Sequence, residues 1–92
     1  MGDLDGIIER NGKFLVIEAK GSYKEVGGGQ AKMFDAMVQT GYFTVIVVRG
    51  PTNKPREMRT WPSYWIPCNM KIFREAVMKW FVEVEDNAII NQ

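Results

Sequence analysis

The chain contains no histidine. That absence excludes a Ser-His-Asp or Cys-His triad, a histidine general base and any zinc site built on imidazole. With a single cysteine, Cys68, no disulfide can close within the chain, and a reducing cytoplasm is the expected compartment. No short basic start leads into an apolar run as a signal peptide would. The longest apolar candidate, around Val45 to Val48, falls far short of the roughly 18 to 20 residues of a membrane span. Net charge is also small, at +1. Hydrophobic residues make up 46% of the chain and charged residues 25%, which is ordinary globular usage rather than the signature of disorder. Ninety-two residues lead to the expectation of one domain over 1–92 and exclude a two-domain enzyme. Whatever chemistry the chain performs rests on carboxylates and lysines.

The near-zero net charge hides a segregation. Residues 49 to 79 hold seven basic residues (Arg49, Lys54, Arg56, Arg59, Lys71, Arg74 and Lys79) against the two acids Glu57 and Glu75, a local +5, and the rest of the chain carries −4. A basic surface beside an acidic pocket suits a metal-dependent enzyme acting on a polyanion.

Residues 3 to 10 and 13 to 20 both read as strands, separated only by Asn11-Gly12. Asn and Gly tolerate the positive φ angles of a type I′ turn, so the hairpin register follows from the turn. Arg10 pairs with Lys13, Glu9 with Phe14, Ile7 with Val16, Asp5 with Glu18 and Asp3 with Lys20. Opposed residues share one face of a sheet. Asp3, Asp5, Glu18 and Lys20 therefore gather at the open end of the hairpin, while Leu4, Ile8, Leu15, Ile17 and Ala19 take the other face.

Gly21 to Gly29 reads as a flexible loop, because three consecutive glycines disfavour regular structure. Met33, Phe34, Met37 and Val38 recur at helical spacing, predicting a helix from Gln30 to Thr40 that Gly41 ends. Tyr42 to Arg49 is a β-branched run suited to a strand buried on both faces. Strand, helix and strand then form a crossover between parallel strands. Residues 50 to 68 contain all four prolines, with Lys54, Arg56, Arg59, Trp61, Tyr64 and Trp65, and read as an irregular basic and aromatic excursion. Its cations, with Arg49, are candidates for phosphate contact and its aromatics for base stacking. Asn69 caps a second helix to about Val82, with Ile72, Phe73, Ala76, Val77, Trp80 and Phe81 as its apolar stripe. Residues 83 to 92 read as a frayed end or a segment that pairs with a neighbour. Met33, Met37, Met70 and Met78 are expected in the core, as is Cys68. The expected fold is α/β: a small mixed sheet, antiparallel hairpin plus a parallel strand reached through a helix, flanked by helices.

Carboxylates on neighbouring strands repel one another unless a cation or a proton intervenes. Mg²⁺ takes a few carboxylate oxygens, backbone carbonyl and water, so Asp5, Glu18 and the carbonyl of Ala19 form a candidate site without histidine. Lys20, two residues beyond Glu18, points to the same face and can orient the attacking water.

These residues resemble the PD-(D/E)XK nuclease superfamily, in which an aspartate ends one strand and a Glu-x-Lys lies on the next. Here they are Asp5, within Gly2-Asp3-Leu4-Asp5-Gly6-Ile7-Ile8, and Glu18-Ala19-Lys20. Gly21, Gln30 at the following helix start and the next apolar strand are similar to the small VRR-NUC branch, many of whose members are virus-encoded. The resemblance covers about residues 2 to 50, with Leu4 where the motif has proline. It implies a restriction-endonuclease-like core and Mg²⁺- or Mn²⁺-dependent hydrolysis of DNA. Asp5 and Glu18 would be metal ligands, Lys20 would serve the attacking water and Gln30 would be a supporting polar residue. The family usually carries a helix before the first strand, which implies either a trimmed chain or completion by a dimer partner. Branched or structured DNA and a homodimer are further implications of the resemblance. The alternative is a nucleic-acid-binding or recruitment module that keeps the fold without cleaving; a protein-interaction domain indifferent to DNA is the third reading.

Overall fold

The computed structural model describes residues 5–21, 25–51 and 53–90. Asp3 lies outside the described residues. Strands β1 (Gly6–Arg10) and β2 (Lys13–Lys20) form the predicted hairpin. Asn11 and Gly12 have φ of 56° and 79°, the two positive values a type I′ turn needs. The register runs from Arg10 opposite Lys13 through Ile7 opposite Val16 to Gly6 opposite Ile17, as the turn alone predicts. The paired register stops there, and Asp5, just before β1, meets β2 through its side chain at Ala19.

Helix α1 (Gly28–Gln39) leads to β3 (Phe43–Arg49), which pairs parallel to β2 with Glu18 beside Val47 and Lys20 beside Arg49. The helix starts two residues earlier than the glycine run suggested. First-turn N–H groups lack intrahelical partners in any case, and Gly27, in an extended conformation, accepts the Ala31 N–H at 2.8 Å. At the other end Gly41, with φ of 82°, donates its N–H to Val38, the left-handed ending that glycine permits.

The excursion at 50 to 68 proves more regular than expected. It supplies β4 (Glu57–Thr60), antiparallel to β3, and β5 (Ile66–Pro67), antiparallel to β4. The sheet order is β1-β2-β3-β4-β5. The prolines are compatible because Pro51, Pro55 and Pro62 sit in the turns, and Pro67 occupies the edge strand, where a missing N–H costs least. Helix α2 (Met70–Ile90) is capped by Asn69, whose Oδ1 accepts the Ile72 N–H at 2.9 Å. It continues past Val82 through residues expected to fray or pair with a neighbour, since no glycine or proline interrupts 70–90.

The helices cover opposite faces. Val16, Val45 and Val47 pack with Phe34 of α1, while Leu15, Ile46 and Met58 pack with Cys68 and with Trp80 and Val84 of α2. Burial of each such side chain is worth about 1.5–3 kcal/mol, and β3 contributes to both cores. The α2 stripe is Phe73, Ala76, Val77, Trp80, Phe81 and Val84. Ile72 and Met78, expected in the core, lie beyond its edges and are 39% and 59% exposed. Among the described residues, no helix is long and apolar enough to cross a membrane.

Candidate functional site

The strand alternation that buries Val16 sends Glu18 and Lys20 to the same, α1-covered face, two and four residues further along β2. They lie where the carboxyl ends of parallel β2 and β3 meet, the usual location of ligand sites in α/β sheets. Glu18 is 6% exposed. Its Oε1 lies 3.8 Å from Lys20 Nζ, and its Oε2 is buried with no hydrogen-bond partner among the described residues. Lys20 Nζ donates to Gln30 Oε1 at 2.7 Å. Gln30, in the first turn of α1, is 8% exposed; the early helix start presents it to β2. On the hairpin edge, Asp5 Oδ2 accepts the Ala19 N–H at 2.6 Å, tying its carboxylate to the residue after Glu18.

Two sets of contacts result: Asp5, just before β1, with the Ala19 backbone of β2, and Lys20 of β2 with both Glu18 of β2 and Gln30 of α1. Leaving one oxygen of a buried carboxylate unpaired costs about 1–3 kcal/mol or more. A cation at that oxygen offsets the cost. Among the described residues no group of three or more His, Cys, Asp or Glu side chains gathers to hold a metal. The residues that could hold a cation here are Asp5, Glu18 and the Ala19 carbonyl, oxygen donors of the type Mg²⁺ takes together with water.

The four candidate phosphate contacts divide into pairs. Lys54 and Arg56 are exposed in the turn before β4. Arg49 and Arg59 are engaged internally. Arg49 lies 3.9 Å from the Trp65 ring centroid, donates to Glu57 at 3.0 Å and reaches Glu25 at 3.4 Å. Arg59 sits over Trp61 at 4.3 Å and donates to the carbonyls of Ser63 and Pro62. Trp61 and Trp65 also pack on the α1-side core. Their indole N–H groups donate to Asp35 and Glu25.

Glu25 carries no part in the sequence reading, yet it joins this clasp to the segment before α1. The Trp65 hydrogen bond, with Arg49 and Arg59 nearby, holds its carboxyl below the usual value. Nothing in the spacing of Glu25, Arg49 and Trp65 advertises the contact, which depends on the unforeseen β4 and β5. Cys68 is buried as expected, and burial followed by the charge of Glu57 pushes its thiol up.

No protein-family model matches the chain, and neither a curated protein nor a solved structure is significantly similar to it.

Proposed function

We propose that the chain is a Mg²⁺- or Mn²⁺-dependent endonuclease that hydrolyses DNA phosphodiester bonds, with a PD-(D/E)XK site of the VRR-NUC kind on a restriction-endonuclease-like core. The observation that carries this reading is the buried Oε2 of Glu18, without a hydrogen-bond partner among the described residues, beside a lysine that Gln30 holds in place. A purely structural carboxylate gains nothing from such burial; a metal ligand does.

In this reading Asp5, Glu18 and the carbonyl of Ala19 hold the cation. When bound, it supplies a Lewis acid for the phosphoryl oxygen and lowers the pKa of the attacking water. Lys20, fixed between Glu18 and Gln30, keeps its ammonium at the site, where it orients that water and faces the charge developing on the phosphoryl group. Attack of the water oxygen on phosphorus breaks one P–O bond and leaves a phosphate monoester and an alcohol. Lys54 and Arg56 serve the polyanion by phosphate contact. One site per chain favours a homodimer where two strands are cut, and branched DNA as the substrate. The same reading puts the protein in the cytoplasm, the host's if the chain is viral.

The test incubates supercoiled plasmid, single strands and a four-way junction with Mg²⁺, Mn²⁺ or EDTA. Metal-dependent cleavage that disappears in Lys20→Ala supports the reading. DNA binding without cleavage by any preparation favours the non-cleaving module instead. A strictly monomeric mass at high protein concentration removes the homodimer.

A further inference from the structure

Across the strand ends from Glu18 and Lys20, on the α2 side of the sheet, lies a cleft of about 390 Å³. Ala19 and Lys20 form part of its lining, so it adjoins the candidate site through the same stretch of β2. Val48, Met70 and Phe73 give it an apolar wall, and Asn53 adds an amide. We propose that this cleft is a subsite for one unpaired nucleotide of the substrate, with the base against Val48, Met70 and Phe73 and the adjoining phosphates at Lys54 and Arg56. The choice of nucleic acid rests on the nuclease reading; the position and the single-nucleotide size come from the cleft itself.

Three observations support the subsite. Its volume falls within the range of about 300–1,000 Å³ typical of small-ligand pockets, large enough for one nucleotide and too small to admit a duplex. Its outer wall is preformed. The Gly50 N–H donates to Lys20, the Lys54 N–H to Pro51 and the Arg56 N–H to Arg49, at 3.3, 2.9 and 2.9 Å. Gly50 itself is so tightly enclosed that a β-carbon there would lie 2.7 Å from the Lys54 carbonyl oxygen. Finally, the charge is complementary to a polyanion: the 50–56 turn exposes Lys54 and Arg56 and contains no acidic residue. An apolar peptide would fit the wall but gain nothing from these two cations.

The test is an NMR titration of the full chain in EDTA with a thymidine pentanucleotide, and separately with a blunt duplex. The subsite predicts that the single strand shifts the Val48 and Met70 methyl signals and the Asn53 side-chain amide. It also predicts that Phe73→Leu, which keeps an apolar side chain and removes the π face, weakens binding roughly tenfold. Lys54→Glu with Arg56→Glu should weaken binding further and flatten its salt dependence. Shifts confined to Trp61 and Trp65, duplex binding at least as tight as single-strand binding, or an unaltered affinity in Phe73→Leu would overturn it. Because EDTA removes cleavage from the readout, the two ideas fail separately. Cleft shifts without cleavage in Mg²⁺ leave the subsite and refute the nuclease, while cleavage without cleft shifts does the reverse.

Discussion

Lys20 Nζ on β2 donates a 2.7 Å hydrogen bond to Oε1 of Gln30 on α1, so the sheet and the crossover helix meet at the ammonium that the proposed chemistry uses. A charged hydrogen bond of this kind contributes about 1.5–3 kcal/mol. Gln30→Ala is therefore expected to lower the single-turnover cleavage rate about 10- to 100-fold with little change in DNA affinity. Gln30→Glu, which keeps an acceptor, should retain more of the rate. A fall in affinity at constant rate would instead make Gln30 a DNA contact.

Glu18 predicts linked effects on stability and metal response. Glu18→Gln leaves Lys20 without its carboxylate partner at 3.8 Å, so the metal-free protein should lose about 1 kcal/mol or more in urea denaturation. Mg²⁺ should raise the melting temperature of the wild-type chain by mass action and leave that of the variant unchanged. An equal Mg²⁺ shift in both proteins would remove Glu18 from the ligand set.

Glu25 gives a pH dependence. Its carboxyl is held below the ordinary value of 4.5, first by the Trp65 hydrogen bond and then by Arg49 and Arg59. A depressed carboxyl pKa stabilises the fold above the unfolded value and loses that contribution as pH falls through the folded value. The melting temperature of wild type should exceed that of Glu25→Gln at pH 7, and the gap should close below about pH 4.5. A gap that persists unchanged at pH 3 would show that the charged carboxylate is not the source.

At Gly50 the φ of 141° and the 2.7 Å approach of a would-be β-carbon to Lys54 predict that Gly50→Ala destabilises the chain by about 2–4 kcal/mol. Gly21→Ala, in open space, should cost much less. Denaturant titrations of the two variants provide the comparison.

The hairpin, its register, the parallel pairing through α1 and the doubly buried β3 were legible because each rests on local chemistry: Asn11-Gly12, helical spacing, or a continuous apolar run. β4 was not. Its four residues alternate only between Glu57, Met58, Arg59 and Thr60 and lie among prolines, so pairing with β3 rather than local preference makes them a strand. The full length of α2 is not legible for a related reason: the apolar stripe thins beyond Val82, although nothing up to Ile90 breaks a helix. Within the site, Glu18 and Lys20 followed from the register. The burial of Glu18 and the contact between Lys20 and Gln30 required α1 to be in place, and the Glu25 clasp required β4 and β5.

The central claim is that Glu18 holds a divalent cation for DNA hydrolysis, and its most direct measurement is plasmid nicking in Mn²⁺ by wild type and Glu18→Gln purified side by side. The account predicts nicking by wild type that EDTA abolishes, and at least a hundredfold less by a folded Glu18→Gln. Equal nicking by the two proteins, or none by either in Mn²⁺ and Mg²⁺, would contradict it.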